Sequence, residues 1–176
     1  SPQISLVVST VGRRHELARL LASIEREVAA GVALELIVVD QSGGLEVMEL
    51  LASAHVRFPI RCATSALGVS RGRNTGLDMA VGAYVMFPDD DAWFPGSALV
   101  QAVAHLDAHP DHDGLSMQLR TGEGDPSMLR WAPTARLVTL RNHHRTSIGS
   151  TMLFRVGVAR AVGGFDVNIG PGSDGW

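Results

Sequence analysis

Three consecutive carboxylates, Asp89, Asp90 and Asp91, follow Met86-Phe87-Pro88 at the end of an apolar run, Ala83 to Phe87, that reads as a buried strand. Like charges crowded at one strand end repel, so such a cluster calls for a positive partner among them. A divalent cation meets that need. Mg²⁺ takes one or two protein carboxylates and completes its octahedron with water and phosphate oxygens, so an Asp-x-Asp at the carboxyl end of a strand is a fitting seat for a metal and a diphosphate. The competing reading is an acidic turn whose aspartates cap the next helix.

The elements that would position these residues are legible in the periodicity. Gln3 to Ser9 is an apolar, β-branched run, and Arg14 to Ala30 then places Leu17, Leu20, Leu21, Ile24 and Val28 on one helical stripe. Gly31 ends that helix, and Leu34 to Val39 makes a second buried strand that stops at the polar turn Asp40-Gln41-Ser42-Gly43-Gly44. A helix over Leu45 to Ala54 follows, then a candidate strand from Arg57 to Ala63 in which Pro59 points to an edge or irregular position. Val69 to Ala80 reads as a helix whose Val69, Gly72, Gly76 and Ala80 form a small-residue face suited to close packing on a sheet.

Strand and helix alternating in this way predict an α/β fold with a mainly parallel sheet, and ligands of such sheets sit outside the carboxyl ends of the strands. Three polar clusters fall there: Ser9-Thr10, Asp40-Gln41-Ser42 and Asp89-Asp90-Asp91. In the second half, Ser97 to His109 reads as a helix closed by Pro110, Leu115 to Leu119 and Arg136 to Leu140 as strands, and Thr121 to Pro133 as a loop. Ile148 to Phe154 reads as a further strand, followed by a short helix ending at Gly163-Gly164-Phe165-Asp166. His143 and His144 are adjacent and cannot face one point on a strand, which argues for a surface loop and against a shared metal.

Bulk composition narrows the function classes. A chain of 176 residues that is 45% hydrophobic is expected to form one domain with a sizeable core. A net charge of −3 with few aromatics gives no footprint for nucleic acid. All 15 basic residues are arginine, so a P-loop, which needs Gly-Lys-Ser/Thr, and Schiff-base chemistry, which needs an amine, are both excluded. The single cysteine, Cys62, reads as inert core and allows no intrachain disulfide. No apolar run is long enough for a transmembrane segment, and Ser1-Pro2 lacks a leader, so a soluble chain trimmed at its N-terminus is expected.

Five segments in order, Ile4-Ser5-Leu6-Val7-Val8-Ser9-Thr10, Leu36-Ile37-Val38-Val39-Asp40, Gly72-Arg73-Asn74-Thr75-Gly76-Leu77, Phe87-Pro88-Asp89-Asp90-Asp91 and Ala161-Val162-Gly163-Gly164-Phe165-Asp166, resemble a family 2 glycosyltransferase of the GT-A fold over nearly the whole chain. The resemblance implies a Rossmann-like, mixed but mainly parallel sheet flanked by helices on both faces. It further implies inverting transfer of a sugar from a UDP-, GDP- or dTDP-linked donor to a saccharide or glycolipid acceptor, assisted by Mg²⁺ or Mn²⁺. Carried over by position, it puts Ser9 and Thr10 beside the nucleotide, Asp40 on the base, and Arg73 and Asn74 near the phosphates or the Asp-x-Asp. Asp89, with Asp90 beside it, would contact the ribose or support the metal, and Asp91 would be the direct metal ligand. Polysaccharide biosynthesis and a cytoplasmic site, peripheral at the inner membrane face, are the expected setting.

Other readings stay open at this level. Thr10 and Ser42 could cap helices, Arg73 could pair with Asp78 or another surface carboxylate, and Asp40 could simply close its turn. Val11-Gly12 departs from the family's usual aromatic and Asn after the first Ser-Thr. The base is expected in an acidic pair after a Gly-rich loop; here Gly170-Pro171-Gly172-Ser173-Asp174-Gly175-Trp176 stops, so either Asp174 serves or the base lies beyond residue 176 in a domain cut short. A phosphohydrolase or a non-catalytic nucleotide-sugar binding module are the rival functions.

Overall fold

The computed structural model describes residues 1–128 and 131–169. Its frame is a six-stranded sheet in the order β3-β2-β1-β4-β6-β5. The first four strands are β1 (Ile4–Thr10), β2 (Leu34–Asp40), β3 (Ile60–Thr64) and β4 (Tyr84–Met86), and they run parallel. β5 (Gly114–Ser116) and β6 (Met152–Arg155) complete the sheet, β6 lying antiparallel between β4 and β5. This is the mixed, mainly parallel α/β sheet expected. β3 lies at an edge, where Pro59, just ahead of it, loses nothing by having no N–H to donate.

The two-residue period of the strands sorts their side chains onto opposite faces. Ile4, Leu6 and Val8 of β1 and Leu34, Leu36 and Val38 of β2 face one layer, made by α1 (Arg14–Ala29), α2 (Glu46–Ser53) and α4 (Ala98–Ala108). Val7, Ile37, Val39, Val85 and Phe87 face the other, made by α3 (Val69–Met79) and α5 (Val156–Ala161). The predicted stripe of α1 is buried as expected: Leu17, Leu20 and Ile24 are fully enclosed, each contributing about 1.5–3 kcal/mol of transfer free energy.

The small-residue face of α3 seats as the sequence suggests. A Cβ at Gly72 would overlap Ser9 Oγ and one at Gly76 would overlap Val7 Cγ1, so only glycine lets this helix lie so close to β1. α4 is started by a distant residue. Ser97 sits in the left-handed region at φ 63° and gives no side-chain cap; instead the fully buried Glu27 of α1 accepts the N–H groups of Gly96 (3.1 Å), Ala98 (3.0 Å) and Leu99 (3.0 Å). A carboxylate there satisfies orphan donors and opposes the helix dipole.

A second buried carboxylate lies at the amino ends of the strands. Glu35 accepts Ser5 Oγ–H (2.6 Å) and the Val81 N–H (2.9 Å) on one oxygen and Arg61 (2.6 Å) on the other, while Ser5 Oγ accepts the Gly82 N–H (2.9 Å).

The second half departs from the prediction in three elements, the first being Leu115 to Leu119, of which only Leu115 and Ser116 lie in a strand, β5. Arg136 to Leu140 forms no strand: the segment is irregular, with Leu137 and Leu140 exposed at 72% and 93%. β-branched and apolar residues make a strand only where they pair with a neighbour, and this segment pairs with no described strand, β5 forming the edge of the sheet. Ile148 to Phe154 is likewise shortened, a 3₁₀ turn at Gly149–Thr151 preceding β6. His143 and His144 lie exposed in another 3₁₀ turn, as the surface reading required.

Candidate donor-binding cleft

β1, β2 and β4 end side by side, and the segments that follow them line a cleft of about 330 Å³. Its walls include Ser9, Thr10, Arg13, Gln41, Arg73 and the aspartates 89 to 91. The register explains the convergence: Thr10 is the partner of Asp40 across the parallel β1–β2 ladder, so both chain ends leave the sheet at one level.

The three aspartates are not equivalent. Asp90 turns inward and its side chain is only 8% exposed, accepting the Thr10 hydroxyl on one oxygen at 2.7 Å and Arg13 on the other at 3.4 Å. Burial pushes its carboxyl above the usual range, against the lowering pull of Thr10 and Arg13. Asp89 and Asp91 turn outward, each 54% exposed, and each pairs with an arginine: Asp89 with Arg73 at 3.2 Å, Asp91 with Arg13 at 3.0 Å. Arg19 also donates to the Asp91 carbonyl at 2.7 Å, tying the triplet's backbone to α1.

Arg73 is the more enclosed of the two cations, 16% exposed against 52% for Arg13. Its guanidinium lies 5.3 Å from the centroid of the Phe165 ring, which meets Phe87 edge-on at 4.8 Å. Burial lowers the Arg73 pKa and Asp89 partly restores it; a guanidinium stays charged throughout. Arg73 therefore presents a poorly hydrated cation at the floor of the cleft, suited to an anion with paired oxygens.

Ser9 and Thr10 fall where expected, on the wall. Ser9 Oγ is buried without a hydrogen-bond partner among the described residues, a polar atom left unspent beside the cleft. Asp40 is buried at the end of β2, one oxygen accepting the Ser42 N–H at 2.9 Å, so it closes its own turn while Gln41 is the residue that lines the cleft. Gln41 is anchored through Nε2 to Ser65 Oγ at 2.8 Å and to the Gly68 carbonyl at 3.1 Å.

Asn74 is not a wall residue. Its amide makes a two-way clasp with Phe165, Nδ2 donating to the carbonyl and Oδ1 accepting the N–H, both at 2.8 Å. It thereby positions the ring that covers Arg73. Asp174 lies outside the described residues. Arg13 and Arg19 escaped the sequence reading, and Gln41 and Phe165, named there only within a polar cluster and a motif, were given no role; Arg13 and Arg19 look like ordinary helix-surface arginines, and only the fold reveals their reach of more than seventy residues to the triplet.

The donor set suits a hard cation. Asp89 and Asp91 offer half-exposed carboxylate oxygens, the chemistry Mg²⁺ and Mn²⁺ prefer, whereas Asp90 is committed to Thr10.

A mainly parallel sheet with helices on both faces, an acid triplet after β4 and arginines facing it define a protein of the GT-A glycosyltransferase fold class. The chain belongs to glycosyl transferase family 2, whose model matches residues 5–163. It is 26% identical over 145 residues to the poly(ribitol-phosphate) beta-N-acetylglucosaminyltransferase TarS of Staphylococcus aureus, covering 80% of this chain and 25% of that protein. The solved structure of S. aureus TarS 1-349 in complex with UDP-GlcNAc superposes with a TM-score of 0.72 at 22% identity, over 91% of this chain and 47% of that one. The mannosyltransferase PcManGT from Pyrobaculum calidifontis, in complex with GDP-Man and Mn²⁺, gives 0.71 at 21% identity, over 98% of this chain and 50% of that one. The chain thus spans a quarter of the curated relative and about half of the solved ones.

Proposed function

We propose that this cleft binds a nucleoside diphosphate sugar and that the protein transfers the sugar, with inversion, to an acceptor hydroxyl. The observation that carries the reading is the split of the triplet: one aspartate buried as an anchor, two left half-exposed, each beside an arginine. Asp89 and Asp91 would hold Mg²⁺ or Mn²⁺, which supplies neutralisation of charge on the departing diphosphate. Arg73 and Arg13 would leave their aspartates to grip the phosphate oxygens, and Arg73 in its dry setting stabilises the leaving group most. Ser9 and Thr10 would border the nucleoside and Gln41 the base, with Asp40 fixing the turn that carries Gln41. Asn74 acts through Phe165, keeping Arg73 aimed. An acceptor proton is removed by a carboxylate, for which Asp174 is this chain's candidate.

The donors bound by TarS and PcManGT support a nucleotide sugar, without choosing the base or the sugar. A peripheral position at the inner face of a membrane is supported by the segment 136–145. It carries Arg136, Arg141 and Arg145 beside exposed Leu137, Val138 and Leu140, and no described helix is long and apolar enough to cross a bilayer.

The test is calorimetric titration with UDP, GDP and dTDP, with and without Mn²⁺, followed by an assay for released nucleoside diphosphate from the matching sugar donor. Metal-dependent binding with release is expected. Phosphate released from a monoester would favour a phosphohydrolase, and binding without turnover a donor-binding module.

A further inference from the structure

We propose that His105, His109 and His112 form a binding site for a divalent transition metal, Zn²⁺ by their chemistry, at the edge of the sheet opposite the cleft. His105 is in the last turn of α4, His109 caps that helix, and His112 is in the turn leading to β5. The three side chains bring one ring nitrogen each to within 4.8 Å of one another, the one group of three or more such ligand residues to do so among those described.

Three details make this more than proximity. His105 Nε2 and His112 Nδ1 are 3.3 Å apart. Two nitrogens bound tetrahedrally to one zinc at about 2.0–2.1 Å stand about 3.3–3.4 Å from each other, so this pair already has the spacing of two ligands. His109 Nδ1 lies 2.8 Å from the His105 carbonyl, and since that oxygen can only accept, Nδ1 is the donor and the neutral ring would offer Nε2 as its ligand atom. The backbone beneath is pinned: Arg155 donates to the carbonyls of His112 (2.9 Å), Leu106 (2.9 Å) and His109 (3.3 Å), and its guanidinium rests 5.4 Å from the centre of the Tyr84 ring.

The rings of His105 and His109 are stacked at 4.2 Å and those of His109 and His112 at 4.9 Å, so the His109 ring must turn out of the stack to aim its in-plane lone pair at a shared ion; all three side chains reach solvent, which leaves room for that turn and a path for the ion. Imidazole donors without a thiolate or a carboxylate select zinc, copper or nickel rather than magnesium or calcium. Asp107, Asp111 and Asp113 interleave with the histidines and favour a cation there, Asp107 being engaged by the Tyr84 hydroxyl at 2.6 Å. With three protein ligands, the fourth position is left to water, and the ion would clip the end of α4 to the start of β5.

The site stands independently of sugar transfer and is tested on the untagged full chain. Cobalt(II) is titrated as a spectroscopic stand-in, followed by zinc competition, in wild type, His109→Gln, His112→Gln, His143→Gln and Asp91→Asn. The expected result is one equivalent of cobalt with tetrahedral visible bands, displaced by zinc, unchanged in His143→Gln and Asp91→Asn, and weakened at least about tenfold in His109→Gln and His112→Gln. A melting temperature raised by zinc in wild type but not in His109→Gln would agree. Wild-type zinc affinity in both α4–β5 variants, or no tetrahedral signal at one equivalent, would overturn the proposal and leave the 3.3 Å contact as a hydrogen bond between neutral rings.

Discussion

Two ends of the same sheet each bring carboxylates together with arginine, and they do so in opposite ways. At the amino ends, Glu35 is 3% exposed, and its oxygens take a hydroxyl, a backbone N–H and Arg61. At the carboxyl ends, Asp89 and Asp91 remain half-exposed with one arginine each, and Ser9 Oγ has no partner among the described residues; at the amino ends the corresponding unpartnered atom is a donor, Arg61 Nε, while the carboxylate itself is fully engaged. A buried carboxylate with both oxygens engaged has little left for a ligand; Glu35 ties Ser5 of β1, Arg61 of β3 and the Val81 N–H together. Capacity that is left over, in a cleft, is what a ligand can use.

The sharpest way to break this contrast is Asp91→Asn. It should cost about a hundredfold or more of the Mn²⁺-dependent part of donor affinity while thermal unfolding stays as in wild type; titration calorimetry beside differential scanning calorimetry reads both. Glu35→Ala should do the converse, costing about 3 kcal/mol or more in denaturant unfolding by stranding Arg61, Ser5 and the Val81 N–H, with donor affinity retained under conditions where the variant is folded. Glu27→Ala belongs with it, since three backbone donors at the start of α4 lose their acceptor, at a cost of about 3 kcal/mol in the same assay.

A smaller effect is expected for Arg73→Lys. An ammonium keeps the charge but loses the planar stack on Phe165, so donor affinity should fall by about tenfold with little change in stability. The smallest concerns pH. Asp90 has a raised pKa when folded, so the folded state binds its proton more tightly than the unfolded state, and stability falls as pH rises from the ordinary carboxylate range through the raised value. Asp90→Asn should remove that slope: its melting temperature should exceed that of wild type at neutral pH and converge with it in acid. A parallel pair of pH curves would mean that Asp90 is not the buried acid described.

Much of this was legible in the order of residues. The continuous apolar runs of β1 and β2, the α1 stripe and the glycines of α3 each state a local rule that the packing obeys. The acid triplet could be placed at a strand end because β4 ends on the apolar run before Pro88. What escaped depends on distance in the chain. Glu27 looks like one more acid of a surface helix until α4 is laid beside it, and Arg13 acquires its role only when β4 is set next to β1. Asn74, expected on the donor, spends both ends of its amide on Phe165, a residue 91 positions away. Arg136 to Leu140 shows the opposite failure: a sequence with strand propensity pairs with no described strand and stays irregular.

The Asn74 clasp has one practical corollary. Because the Phe165 amide proton is donated into that side chain, its exchange with deuterated water is a gauge of whether the aromatic lid sits over the guanidinium. Ligands that tighten the lid should slow this single amide, so one backbone signal, far downstream of the aspartates, can report occupancy without any label on the nucleotide.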